Sequence, residues 1–389
     1  MEDDRDSHNT KTPNPFWTRF GGLEQPRSTT SASRLGMVRE DSNAKPPRNA
    51  CKDMPPPPAR ATISPLVWND DGYFDEKITV KNEREEAFCV YRAAADIEEN
   101  DSVDTTVPTT MLVCLHGCPY SSLSWAPFVK ELRTKRKMTK FEIYAIDLRN
   151  HGESISMRDA NDFSLGRMVE DVAVILKHLF SQTEKGRKCV LIGHSMGASV
   201  ACSLALRDDV WINIVLAGLI VVDVVEGSAL KALPMMSLQL LNRPTSFRTL
   251  RDAFRWCLGY GGSTKNVDSA RISFPSQLKQ QSNGSSNSNS NREGASSLFS
   301  FRCDVARTEP YWKEWYLGMS ERFLSAKTSK ALLLAGTDRL DTPLTIAQMQ
   351  GKFQMVVFPN SGHAIQEDEP EKFTQVVHDF LARYVVQTR

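Results

Sequence analysis

LIGHSMGASV, residues 191–200, begins as an apolar run, turns through Gly193-His194-Ser195-Met196-Gly197 and ends in small residues that a helix tolerates. The pattern G-x-S-x-G, read as a strand that enters a sharp turn and leaves as a helix, presents a nucleophilic serine. Its glycines have a physical role, because the turn strains the serine backbone and brings neighbouring backbones close together. A helix starting at Met196 aims backbone N–H groups at negative charge developing beside Ser195. Five residues do not separate this reading from a glycine turn with an incidental serine. The flanking sequence does.

Six apolar runs set the architecture: TMLVCL (110–115), FEIYAID (141–147), KCVLIG (188–193), GLIVVD (218–223), KALLLAG (330–336) and FQMVVF (353–358). They are nearly continuous, as strands buried on both faces of a parallel sheet are. Helical patterns fall at 123–134, 165–180, 196–207, 342–350 and 370–385, while EKITV and AFCVYRA alternate like half-buried antiparallel strands. The alternation predicts an α/β chain with a mostly parallel central sheet and helices on both faces. Residues 226–326 lack a strand of that kind and are rich in Met, Leu, Trp and Phe. They read as a helical insertion above one sheet edge. Residues 1 to about 60 are rich in Ser, Thr, Asn, Arg and Pro without hydrophobic periodicity, and read as a disordered tail before a single domain over 61–389. QQSNGSSNSNSNREGASS, at 280–297, reads as a flexible loop within the insertion.

Composition removes several function classes. Lys+Arg is 48 and Asp+Glu 47, so no charge excess favours a nucleic acid or an acidic membrane. MEDDRDSHNTKTPNP has no apolar core of a secretory signal, and no run of about 18 apolar residues suggests a membrane-spanning helix. The eight cysteines are scattered, with no CxxC pair and no Cys/His cluster at zinc spacing. A reducing cytoplasmic or nuclear setting is expected, with no metal and no cofactor.

In an open α/β sheet, ligands sit beyond the carboxyl ends of the strands. Those ends carry His116-Gly117-Cys118-Pro119, Asp147 with Arg149-Asn150-His151-Gly152, His194-Ser195, Asp223, Asp338 and Gly362-His363. A serine hydroxyl is nearly un-ionised at neutral pH and needs a base. His363, in the loop after the last strand, is the expected one. His8 lies in the tail, His178 and His378 in helical patterns, and His116 and His151 in HG turns that they are expected to prop. Two aspartates compete as the acid behind His363, namely Asp223 and Asp338, and the spacing favours Asp338. Pro119 has no N–H, so the amides of Cys118 and Met196 are the expected oxyanion donors.

These segments resemble the protein phosphatase methylesterases, which belong to the α/β-hydrolase fold. The resemblance runs from about Pro65 to Arg383. It rests on SPLVW, SSLSWAPF, AIDLRNHGES, LIGHSMGASVA, VVDVVEGSALKAL, NRPTSFRTLRDAFRW, ARTEPYWKEWYLGMS, LLLAGTDRLDTPLTIAQMQGKFQM and SGHAIQEDEP. The elbow and HG turn are generic to the fold, whereas DVVEG, RPTSF, YWKEW and the GTDRLD…QGKFQM run are specific. The resemblance implies Ser195 as nucleophile, His363 as base and Asp223 as acid, leaving Asp338 to structure its loop. It implies demethylation of the C-terminal leucine methyl ester of the type 2A protein phosphatase catalytic subunit through an acyl-enzyme. The insertion, with Met235, Trp256, Trp312 and Trp315, would form a lid and a peptide groove, although each aromatic is more simply a packing residue. The family tends to carry further glycines after HG, where this chain has Cys118-Pro119. The competing expectations are a generic esterase or aminopeptidase of the same fold, and a scaffold that only binds the phosphatase.

Overall fold

The structure is a computed structural model that describes residues 64–70, 72–95, 110–136, 141–156, 159–181, 183, 185–259, 261–281, 298–336 and 340–386. The expected tail, most of the low-complexity loop and Asp338 lie outside the described residues. The central sheet has eight strands: β1 (Glu76–Lys81), β2 (Ala87–Ala93), β3 (Thr110–Leu115), β4 (Phe141–Ile146), β5 (Arg187–His194), β6 (Ile214–Val222) and, after the insertion, β10 (Ser329–Leu334) and β11 (Gln354–Val357). Their order is β1-β2-β4-β3-β5-β6-β10-β11. β1 and β2 pair antiparallel and β2 runs antiparallel to β4, while the remaining neighbours are parallel. The chain goes from β3 outward to β4 and then returns past β3 to β5, so the order reverses at β3. A crevice opens at such a point.

The apolar runs are continuous because both sheet faces are covered. Met111, Val113 and Leu115 of β3 pack into one core with Cys189 and Leu191 of β5, and Leu112, Cys114, Val190 and Ile192 pack into the other. The first face receives α2 (Leu165–Leu179), α3 (Met196–Leu204) and α9 (Thr342–Met349), and the second receives α1 (Ala126–Arg136) and α11 (Pro370–Leu381). Each fully buried Val, Leu or Ile contributes roughly 1.5–3 kcal/mol by leaving water. Two helices differ from their expected outline. A 3-10 turn, Ser122–Trp125, precedes α1, and a π turn, Ala382–Val386, follows α11.

The insertion between β6 and β10 contains α4 (Glu226–Leu241), β7 (Ser246–Phe247), α5 (Leu250–Leu258), α6 (Val267–Ser273), β8 (Leu278–Gln281), β9 (Leu298–Phe301), α7 (Trp312–Tyr316) and α8 (Met319–Ser325). It is therefore not helical throughout. β7, β9 and β8 form a small antiparallel sheet, and Gln280 and Gln281 belong to β8 rather than to the expected loop. Strands of two to four residues are too short to show alternation, and the polar LKQQ has no apolar run to see. The sheet closes a core of its own, in which Phe247, Phe254, Phe274 and Leu278 pack with Trp256 and Phe301. Among the described residues no helix is long and apolar enough to cross a membrane.

α10 (Ile365–Asp368) is a single turn just before α11, and it carries a fully buried carboxyl, Glu367. Burial pushes this carboxyl up to about 8 from its ordinary 4.5. Between these values the unfolded chain has lost a proton that the folded chain keeps, so stability falls as pH rises through the window and levels off above it. Glu367→Gln should remove that slope. Denaturant midpoints are expected to coincide with wild type near pH 4.5 and to exceed it near pH 8 by the equivalent of a few kcal/mol. A wild-type midpoint that does not drop across the window would contradict a protonated Glu367.

Candidate active site

β5 pairs with β3 and β6 so that Leu115 lies opposite Gly193, and His194 lies opposite Val222. His116, Ser195 and Asp223 therefore leave three neighbouring strands at the same level. Ser195 sits at φ 51° and ψ −116° between β5 and α3, with its N–H donated to the Val222 carbonyl at 3.0 Å. The turn is close-packed. A Cβ on Gly193 would stand 2.5 Å from the Ala198 Cα, and one on Gly197 would collide with the carbonyl groups of Leu115 and His116. Only glycine fits either place. Ser195 is 6% exposed and lines a small cavity of about 70 Å³ with Asp223, Val225, Ala232, Tyr316 and His363.

His363 Nδ1 lies 2.7 Å from Asp223 Oδ2. The other Asp223 oxygen accepts the Ala335 N–H at 2.7 Å, and the Asp223 N–H is donated to the Leu333 carbonyl at 2.7 Å. A carboxylate held at both oxygens fixes Nδ1 as the protonated nitrogen of His363 and turns Nε2 toward the cavity. Spacing favoured Asp338 and the resemblance implied Asp223; Asp338 lies outside the described residues, and Asp223 stands beside His363, where a positive φ of 52° after β6 bends its side chain back across the end of β10.

The loop that carries His363 is anchored from below by the residue before the serine in the elbow motif. His194 is fully buried, and its Nε2 donates to the His363 carbonyl at 2.9 Å. Its Nδ1 faces the Gln366 amide at 3.4 Å, and that amide also donates to Ser124 Oγ at 2.8 Å. Burial, reinforced by the nearby His363 ring, holds the His194 imidazole well below its ordinary value, so it stays neutral. A second anchor is Asp368, which accepts the Gly362 N–H at 2.5 Å, the Lys265 N–H at 2.6 Å and the Thr264 hydroxyl at 2.9 Å. It joins the His363 loop to the insertion.

Other strand-end residues support loops. His116 accepts the Leu148 N–H at Nε2, 3.0 Å away, and its Nδ1 donates to the Gly117 carbonyl at 2.9 Å. Asp147 accepts the Ser122 N–H and hydroxyl and the Glu153 N–H at 2.6–2.8 Å. Arg149 is buried between Asp171, at 2.7 and 2.8 Å, and Glu86, at 2.9 Å. Its guanidinium and the Ser156 hydroxyl overcome the effect of burial on Glu86 and hold that carboxyl at about 2.

Met196 is the first residue of α3, where a backbone N–H has no intrahelical partner. Cys118 follows the HG turn with a cis bond to Pro119. Trp312 and Trp315 are buried, with indole N–H groups donated to Thr308 Oγ1 and the Phe163 carbonyl at 2.8 Å each. Trp256 packs against Phe247 and Phe301, and Met235 is half exposed. Tyr316 was not among the expected residues. Burial pushes its phenol up to about 12, and it lines the cavity together with Ser195. It stands beside Trp315 in the aromatic run YWKEWY, which offered no way to tell which ring faces the site.

A serine elbow at the carboxyl edge of a mostly parallel sheet, with a His–Asp pair beside it, defines a hydrolase of the α/β class. The α/β-hydrolase family profile matches residues 112–376. A probable protein phosphatase methylesterase 1 from Caenorhabditis elegans is 38% identical over 336 residues, covering 85% of this chain and 82% of that protein. The human protein phosphatase methylesterase 1 is 35% identical over 84% of this chain and 87% of its own length. The Schizosaccharomyces pombe relative is 35% identical over 80% and 84%. The chain belongs to the protein phosphatase methylesterases of the α/β-hydrolase family. Solved structures share the fold alone. E-2-(acetamidomethylene)succinate hydrolase superposes with a TM-score of 0.57 at 16% identity, covering 79% of this chain and 100% of that one. A Mycobacterium tuberculosis esterase gives 0.51 at 19%, covering 79% and 91%.

His194 packs against His363 without itself lining the cavity, so it is a positioning residue. His194→Ala should lower kcat on a small ester by about 100-fold through misplacement of His363, with KM unchanged. The count of folded sites is checked by fluorophosphonate titration of Ser195. An equal loss in titratable sites, or a rise in KM, would reduce His194 to a purely structural part.

Proposed function

We propose that this chain hydrolyses the methyl ester of a C-terminal leucine on the catalytic subunit of a type 2A protein phosphatase, with Ser195, His363 and Asp223 as its catalytic triad. The observation that carries the reading is the His363–Asp223 pair at 2.7 Å, opening on the cavity that Ser195 lines. The names of the relatives supply the substrate class. The cavity supports it, because Val224, Val225, Ala229, Ala232 and Met236 offer an aliphatic wall beside Ser195 that suits a leucine side chain. Free thiols at all seven described cysteines fit a reducing compartment such as cytoplasm or nucleus.

His363 Nε2 takes the Ser195 proton as Oγ attacks the ester carbonyl, and Asp223 holds the ring and stabilises the imidazolium. The Met196 and Cys118 amides receive the oxyanion. The imidazolium then protonates the departing methoxide to give methanol, and water, deprotonated by the same ring, attacks the acyl-enzyme, releasing the carboxylic acid as the ring returns the proton to Ser195 Oγ. The carboxylate product is charged at neutral pH, so no cofactor is needed to drive the hydrolysis.

Methanol release from methylated phosphatase tests the assignment. Asp223→Asn should lower kcat by roughly 10³–10⁴-fold, because the ring loses its tautomer and its counter-charge, and Ser195→Ala should be inactive. Full activity in Asp223→Asn, with loss in Asp338→Asn, would move the acid to the competing aspartate. Hydrolysis of short-chain esters without any release of methanol from the phosphatase would leave a generic esterase.

A further inference from the structure

Cys118, His151 and Cys303 stand 33 and 152 positions apart in sequence, and linear spacing therefore shows no metal pattern. The fold brings them together. Cys118 Sγ, an imidazole nitrogen of His151 and Cys303 Sγ lie within 4.8 Å of one another. Cys118 belongs to the loop after β3, His151 to the turn after β4, and Cys303 to the insertion just after β9.

The imidazole is set as a ligand. His151 is 1% exposed, and its Nδ1 is 2.9 Å from the Arg149 carbonyl, which fixes the proton there. Nε2 then carries the lone pair, and it has no hydrogen-bond partner among the described residues. A backbone carbonyl on one ring nitrogen and an open lone pair on the other is the usual state of a metal-binding histidine. A buried imidazole nitrogen without a partner is otherwise a cost of about 1–3 kcal/mol. Cys303 is also buried, and the nearby Thr308 hydroxyl, 3.9 Å from Cys118 Sγ, is occupied by the Val305 carbonyl and the Trp312 indole. On this side the ring faces the Cys118 thiol, itself one of the three donors.

We infer that Cys118, His151 and Cys303 form a binding site for a thiophilic closed-shell cation, with Zn²⁺ the ion that best fits the donors. Three donors no more than 4.8 Å apart share a centre at most about 2.8 Å from each, so a contraction of about half an ångström reaches Zn–S and Zn–N bonding distances. Two thiolates balance the charge of a divalent ion, and the fourth position is left to water. Arg243, whose charge acts on both thiols, is stacked over Phe301 at 3.9 Å. Cys303 also lines a groove of about 770 Å³ with Asn150, Arg243 and Asp304, which gives the ion a route in. Coordination would tie the Cys118 loop to the insertion. The ester hydrolysis itself does not pass through the ion.

The test uses the full chain, reduced and stripped of metal, titrated anaerobically with Co²⁺ and then Zn²⁺. One equivalent of Co²⁺ should give thiolate-to-cobalt charge-transfer absorption, and one equivalent of Zn²⁺ should abolish it. Cys303→Ser should lose most of that absorption and weaken Zn²⁺ by more than the roughly 10–100-fold that outer-shell partners are worth. His151→Ala should do the same, and fluorophosphonate labelling of Ser195 in both variants reports an intact fold. Folded wild type that gives no charge-transfer band overturns the site, as does a band that survives Cys303→Ser. A disulfide joining Cys118 to Cys303 in the reduced preparation would overturn it as well.

Discussion

Ser195 is held in a backbone conformation that L residues rarely adopt, and such strain costs on the order of 1–3 kcal/mol. It persists because its surroundings leave no alternative. α3 runs over the ends of β3 and β5 so closely that neither Gly193 nor Gly197 has room for a methyl group. The elbow thus fixes where the helix starts, and the helix start fixes the amide at Met196. Everything else in the site is arranged about that point.

The parallel sheet does the gathering. Register places Leu115 beside Gly193 and His194 beside Val222, so three strand ends release their next residues at one level. Polar residues there divide into two groups. His116, Asp147 and Arg149 are saturated by backbone and side-chain partners and hold the loops. Ser195, Asp223 and His363 face the cavity. His194 links the groups, since it belongs to the elbow and bonds to the His363 loop through the His363 carbonyl. Ser195 and His363 are therefore positioned by one another's neighbours. The insertion adds Tyr316 at Ser195 and a second tie to the His363 loop through Asp368.

The cysteines show how far burial can mislead a linear reading. Cys89, Cys114, Cys189, Cys202 and Cys257 are small buried residues of the cores or of the insertion. Burial pushes the thiols of Cys89, Cys114 and Cys189 well above the ordinary range, and that of Cys202 up to about 12. Cys118 and Cys303 differ only by where the insertion returns across the HG turn.

The sequence by itself determined the sheet, the helices on its faces, the elbow at Ser195 and the loop that carries His363. Those features are local: strand burial shows as a continuous apolar run, helix burial as a period, and the elbow as two glycines around a serine. The strands of the insertion were not legible, being two to four residues long. Tertiary structure decided what depends on convergence. It set Asp223 against His363 across 140 residues, the His194 hydrogen bond across 169, and the contact between Cys118 and Thr308 across 190. Such contacts depend on strand register and on the path of a long connection. Neither leaves a periodic trace, because hydrogen bonds between distant loops constrain only the two residues that make them.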